Sequence, residues 1–181
     1  MDFGSNTPLL ETKRLILKKF TADDCEDLFR ILSDERVNVF LPWFPHKSPE
    51  ETRAFLERSV FADYRKKIAY RYAIEMRGEN RVIGYLSLLG IDEERRCGDI
   101  GYGLLRAYWG RGIMTEAVGA LLARLRADGF RYATATHDVN NPASGRVMQK
   151  CGMRYVCTYP EFWQSKGIQT QFKLYRIDLQ D

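Results

Sequence analysis

A chain of 181 residues has the size of one domain and can bury roughly 70% of its unfolded surface without a metal or disulfide staple. Its 45% apolar and 29% charged residues exclude disorder. A net charge of +4 is too small to mark a nucleic-acid binder, and no apolar run approaches the ~20 residues of a membrane span.

The opening Met1-Asp2-Phe3-Gly4-Ser5-Asn6 lacks the charged and apolar regions of a signal peptide, so a cytoplasmic protein is expected. Cys25, Cys97, Cys151 and Cys157 show no C-x-x-C spacing, and with two histidines in the chain no metal site is expected. Residues 9–18 alternate, with Leu15 and Leu17 set against Arg14, Ile16 and Lys18, and read as a first strand. Thr21 followed by Ala22-Asp23-Asp24 caps a helix that carries Leu28, Phe29, Ile31 and Leu32 as far as Ser33-Asp34. The two prolines of Leu41-Pro42-Trp43-Phe44-Pro45 forbid regular helix and frame an aromatic loop. Ser48-Pro49 starts a second helix that should reach about Lys66.

The middle is β. Segments 70–76 and 81–91 flank the turn residues Gly78-Glu79-Asn80, and 99–105 is a further strand containing Gly101 and Gly103. After Trp109-Gly110-Arg111-Gly112, a helix carries Ile113, Ala117, Leu121 and Leu125 at four-residue spacing and closes at Gly129. A strand at 132–137, a helix opened by Asn141-Pro142 and ending near Gly152, and a hairpin from 155–162 and 172–179 complete the chain. No repeat or linker interrupts it, so residues 1–181 form one domain with a mixed α/β (α+β) sheet and helices on its faces.

The strand–Gly-x-Gly–helix unit carries the chemistry. A tight glycine turn feeding a helix aims free backbone N–H groups and the positive end of the helix dipole at one place, where a phosphate or pyrophosphate binds. Arg106 and Arg111 flank that turn and add charge. The alternative is that Gly110 and Gly112 only shape a short turn. No Gly-Lys-Ser/Thr occurs, which excludes a P-loop, and Gly110-Arg111-Gly112-Ile113-Met114-Thr115 departs from the dinucleotide fingerprint at its last position.

Pro8-Leu9-Leu10-Glu11-Thr12-Lys13-Arg14-Leu15-Ile16-Leu17, then Gly98-Asp99-Ile100-Gly101-Tyr102-Gly103-Leu104 with Tyr108 to Ala117, then Asn140 to Ser144 through Lys150-Cys151-Gly152-Met153, occur in that order. Together they resemble the GNAT N-acetyltransferases, RimJ/RimL-like branch, over a core of about residues 8–179. The resemblance implies the GNAT fold, a mixed, mostly antiparallel central sheet with helices on both faces and a splayed central strand pair. It implies acetyl-CoA as co-substrate, no metal, and acetyl transfer to an amine: a protein N-terminus, a peptide or a small amine, with no nucleic-acid or membrane partner. The implied cofactor residues are Leu104, Leu105, Arg106, Gly110, Arg111, Gly112, Ile113, Met114, Thr115, Asn141 and Ser144. Trp109 and Met114 occupy the first and last places of the broad family's Q/R-x-x-G-x-G/A signature, and Met148 stands where that family often has an acidic Tyr.

With that Tyr absent, Ser144 is the leading donor to the departing thiolate, although a first-turn serine also serves its own backbone. Asn141 can hold the pantetheine amides, cap the helix, or do both. Glu161 matches the position of a glutamate assigned as base in the RimL-like branch; Glu75 and Asp99 are its rivals, and a solvated loop carboxylate is the plain alternative. His137 reads as structural, while His46 sits in the aromatic loop near substrate. Trp43, Phe44 and Tyr102 are expected around the acceptor, the first two being equally at home as core aromatics. A CoA-binding module without catalysis and a nicotinamide-binding protein are the competing readings. The sequence fits a monomer or a homodimer.

Overall fold

The computed structural model describes residues 6–180. The expected first strand is two: β1 (Leu10–Glu11) and β2 (Leu15–Lys19). The chain reverses at Thr12, whose hydroxyl accepts from the Leu15 N–H at 2.9 Å, and Glu116 grips the turn from a distant helix through the Thr12 hydroxyl and the Arg14 N–H. Helix α1 (Cys25–Leu32) is followed by an unexpected turn of helix, α2 (Glu35–Asn38), capped by the Asp34 carboxylate. Buried Asn38 there donates to the carbonyls of Ile31, Leu32 and Asp34, satisfying groups that the end of α1 leaves open. Ser48 caps α3 (Pro49–Phe55) with Pro49 in its first turn; a π-helical turn, Leu56–Val60, joins it to α4 (Phe61–Tyr64).

Then come β3 (Tyr70–Met76), β4 (Val82–Asp92), β5 (Cys97–Leu104), α5 (Ile113–Ala127), β6 (Tyr132–Asp138), α6 (Pro142–Lys150), β7 (Arg154–Trp163) and β8 (Ile168–Asp178). The eight strands form one sheet in the order β1-β2-β3-β4-β5-β6-β8-β7, antiparallel except between β5 and β6. Ile113, Ala117, Leu121 and Leu125 of α5 are all buried and pack, with Met148 of α6, on one face of the sheet against Leu15, Leu17, Leu86, Leu88 and Ile100. Leu28 and Ile31 of α1 and Leu56 cover the other face over Ala73 and Val82. Each buried Leu or Ile contributes about 1.5–3 kcal/mol relative to exposure, so α5 is anchored along its whole length.

The parallel pair is short. It is held by Cys97–Tyr132, Gly98–Ala133 and Asp99–Thr134 and by no rung beyond. Yet β5 stays paired to β4 as far as Leu104, and β6 stays paired to β8 as far as Asp138. The two central strands therefore diverge above Asp99 and open a gap in the middle of the sheet.

Candidate active site

Gly110 and Gly112 both adopt left-handed backbone, with φ of 73° and 72°. That region suits glycine and lets the chain turn from β5 into α5 within a few residues. Among the described residues, the N–H groups of Gly110 through Thr115 meet no acceptor in the chain, whereas that of Glu116 already closes on the Gly112 carbonyl. The turn is braced from behind: Arg14 donates from Nε to Glu116 Oε2 at 2.6 Å and from Nη1 to the Arg111 carbonyl at 3.0 Å. Burial raises the cost of charging Glu116, but hydrogen bonds from Thr12 and Arg14 outweigh it and hold the carboxyl below its usual range. Arg106 and Arg111 are exposed beside the turn, Arg111 lying 5.6 Å from the Tyr108 ring centroid. A fixed set of N–H groups at a helix start, with cations at the rim, fits a pyrophosphate.

Leu105 donates its N–H to the Ile83 carbonyl on β4. Peptide groups alternate sides along a strand, so the N–H and C=O of Tyr102 and the N–H of Leu104 point the other way, into the gap. The Leu104 carbonyl is taken by the Trp109 indole at 2.7 Å. Of the expected pair, Leu105 is thus committed to β4 and Leu104 offers only its N–H. Tyr102 contributes both backbone groups, which strand alternation would have revealed.

Across the gap, Asn141 caps α6 by accepting from the Ser144 N–H at 3.3 Å, and its Nδ2 has no partner among the described residues. Ser144 Oγ lies 2.8 Å from the Tyr102 hydroxyl, which also reaches the Ser144 carbonyl at 3.0 Å. Burial pushes the Tyr102 phenol above its ordinary range, so it stays protonated at neutral pH. When that proton goes to Ser144 Oγ, the serine proton is free to be donated onward. Met148 is fully buried among apolar neighbours, and no phenol acts from its position. His137 is also buried: Nδ1 meets the Asp138 carbonyl at 2.8 Å, and the ring edge lies against Gly145 of α6.

On the opposite face of the sheet a cavity of about 450 Å³ extends from the helices to Gly101 and Tyr102. Trp43 lines it; Phe44 does not, being 59% exposed with Lys166 5.8 Å from its ring centroid. Consecutive residues of this irregular loop point different ways, so Trp43 faces the cavity and Phe44 faces outward. The β7–β8 turn closes over the same loop, Ser165 donating to the Pro42 carbonyl and Lys166 to that of Asn38. His46 lines the cavity, with Nδ1 2.8 Å from Thr52 Oγ1, and burial lowers its pKa, so it is neutral at pH 7.

Among the described residues, no carboxylate stands in the wall of that cavity. Glu161 lies on β7 opposite Thr170, separated from the gap by β6 and β8. Glu75 is bound to Lys18 at 2.6 Å, and Asp99, which accepts from Thr134, sits at the last rung below the gap. The structure therefore brings Ser144, Asn141 and Tyr102 together and leaves Glu161 apart from them. Among the described residues no group of three His, Cys, Asp or Glu is placed to hold a metal, and no helix is long and apolar enough to cross a membrane.

Residues 14–154 match the family model of the acetyltransferase (GNAT) domain. The chain belongs to the GNAT acetyltransferase family. It is similar to a Bacillus subtilis (strain 168) protein described as an uncharacterized N-acetyltransferase, YoaA, with 26% identity over 94% of this chain and 96% of that one. This GNAT protein is accordingly an enzyme of the acyltransferase class. Its fold matches an acetyltransferase (GNAT family) from Bacillus anthracis with a TM-score of 0.83, 23% identity, and coverage of 95% of this chain and 99% of that one. It also matches RimL, described as a ribosomal L7/L12 alpha-N-protein acetyltransferase in complex with coenzyme A: TM-score 0.83, 22% identity, 94% of this chain and 98% of that one.

Proposed function

We propose that this GNAT protein transfers acetyl from acetyl-CoA to the α-amine of a peptide or protein N-terminus, in the manner of the RimJ/RimL-like branch. The observation carrying this reading is that the gap between β5 and β6 and the cavity under the aromatic loop meet at one residue, Tyr102. One substrate can then enter from each face of the sheet.

In this reading the glycine turn from Gly110 to Thr115 holds the pyrophosphate, while Asn141 Nδ2 and the Tyr102 peptide group hold the pantetheine arm. Acetyl-CoA supplies the activated acyl group as a thioester. The neutral amine attacks the thioester carbonyl, an N–C bond forms and the C–S bond breaks. Ser144 gives its proton to the leaving sulfur and regains one from Tyr102, 2.8 Å away. The amine proton passes to neutral His46 or to water and returns to Tyr102 through water, so the phenol ends protonated. A wall in which no described residue offers a carboxylate base suits an α-amine, whose pKa near 8 leaves far more of it neutral than a lysine near 10.4. The RimL description names an α-amine acceptor for that protein, in keeping with this choice.

The test is single-turnover transfer to a panel of peptides and small amines, read by thiol release and by peptide mass. Acetylation of N-terminal amines ahead of lysine amines is expected. Tight CoA binding with no acetylated product would leave a non-catalytic module. Stabilisation by dinucleotides but not by acetyl-CoA would favour a nicotinamide protein. His46→Gln should flatten the acid side of the rate profile, and Glu161→Gln should leave it unchanged; the opposite pair of results returns the base to Glu161.

A further inference from the structure

The cavity that receives the acceptor is largely apolar, and apart from His46 and the tyrosines Tyr85 and Tyr102 its polar groups gather at one corner of its floor. Arg71 of β3 is 8% exposed there, and beside it in register is Ser87 of β4, also 8% exposed. Side chains directly opposite on neighbouring strands share a face, so both point into the same space. The guanidinium is anchored at its near side: Nε faces Asp63 Oδ2 at 3.4 Å and Nη2 donates to Ser59 Oγ at 2.9 Å. Asp63 is shared with Lys66, 2.7 Å away, so its charge does not belong to Arg71 alone. Nη1 has no partner among the described residues, and the Ser87 hydroxyl has none either.

A cation held in an apolar, largely buried pocket with open donors is costly unless an anion completes it. A planar fork plus a neighbouring hydroxyl matches the two oxygens of a carboxylate. We infer that Arg71 and Ser87 form an acceptor-recognition site for a carboxylate, so the preferred substrates are amines carrying a carboxylate elsewhere in the same molecule. This deepens, and rests on, the acetyl-transfer reading above. The register runs from Arg71 to Ser87 and from Ser87 to Gly101 at the edge of the gap. At about 4.8 Å per strand this places the anion site roughly 10 Å from the β5 backbone. A short peptide spans that distance: its N-terminal amine at the gap, its carboxylate on Arg71.

The probes are triglycine and triglycinamide, compared as kcat/KM with acetyl-CoA saturating and with rates referred to the neutral amine. A charge-assisted hydrogen bond corresponds to about tenfold to hundredfold, so wild type should favour triglycine by at least tenfold. Arg71→Gln should bring that ratio to within twofold by raising KM for triglycine, with triglycinamide unchanged. Ser87→Ala keeps the Asp63 and Ser59 contacts of Arg71 intact and should lower the ratio several-fold; it carries the test if Arg71→Gln does not fold. A wild-type ratio near one, or a full ratio in both variants, overturns the inference. If neither peptide is acetylated, the acetyl-transfer reading fails. Calorimetric binding of the two peptides to the CoA-bound protein then still decides the anion site, and equal or absent binding of triglycine sinks it.

Discussion

Gly145 holds α6 against the sheet, and replacing it with alanine should impair catalysis more than stability. A Cβ built there would lie 2.6 Å from His137 Nε2, 3.0 Å from Cε1 and 3.2 Å from Cδ2. Carbon contacts settle at about 3.5–4 Å, so helix and ring must separate by roughly 1 Å. The ring cannot easily yield: Nδ1 is held by the Asp138 carbonyl at 2.8 Å, and the Tyr175 ring packs 5.6 Å away. Overpacking of this kind costs about 1–3 kcal/mol, while alanine in a helix recovers about 1 kcal/mol over glycine. The net loss is therefore at most about 2 kcal/mol, a fall in Tm of roughly 8 °C or less for a domain of this size. Catalysis should suffer more, because Asn141 and Ser144 ride on α6 and a shift of about 1 Å at reacting groups can cost about a hundredfold. Steady-state kinetics with thermal melts should show kcat down at least tenfold in Gly145→Ala, with part of it recovered in His137→Ala/Gly145→Ala. The control is Gly119→Ala, at an exposed helix position with nothing within 4 Å, which should raise Tm slightly and leave kcat alone. Wild-type kcat in Gly145→Ala, or no recovery in the double variant, would refute the reasoning.

Gly112→Ala must hold an L-residue at φ 72°, which costs about 1–2 kcal/mol; CoA affinity by calorimetry should fall at least fivefold, and unchanged affinity would move the pyrophosphate elsewhere. Glu116→Gln should lower stability to urea at pH 7 by loosening the Thr12–Arg14 turn from α5. Because the folded carboxyl titrates below its usual range, that contribution is present above the unfolded pKa near 4.3 and disappears as pH falls through the lower folded value; a gap between variant and wild type that does not narrow as the pH is lowered below about 4.3 would contradict this. Tyr102→Phe and Ser144→Ala should each lower kcat and kcat/KM together, and the double variant should lose little more than the worse single one, since the two hydroxyls act in series. Independent, multiplying losses would break the proposed relay.

The parts of the fold legible in the sequence were those fixed by neighbours a few residues away. The four-residue spacing of Ile113, Ala117, Leu121 and Leu125 marked α5, and Ser48-Pro49 and Asn141-Pro142 marked two helix starts, because caps and periodicity are local. The break at Thr12 was not legible, since it is secured by Glu116 more than a hundred residues later. Neither was α2, whose stability comes from the contacts Asn38 makes with the end of α1. The same division holds for the site. The glycine turn, Asn141 and Ser144 lie in short motifs, whereas Arg71 and Ser87 look like any polar strand residues until register sets them side by side. Glu161 shows the converse: position along the chain suggested a base, but β8 pairs between β6 and β7 and carries it away from the gap.

Strand β5 explains why two substrates can meet in so small a domain. Its peptide groups alternate within the plane of the sheet while its side chains alternate above and below. Losing β6 as a partner after Asp99 frees one set of peptide groups for a ligand lying in the plane. Gly101 has no side chain to project into the cavity beneath, and a Cβ there would already lie 3.6 Å from Leu89 Cδ1. Tyr102 projects toward α6, where its hydroxyl meets Ser144. Three consecutive demands of the proposed reaction (a track for the arm, a passage for the amine and a proton supply for the serine that serves the sulfur) are thus answered by two adjacent residues, provided β5 and β6 stay apart. The rigid pairing of β5 to β4 and of β6 to β8 keeps them so, through residues that need touch neither substrate.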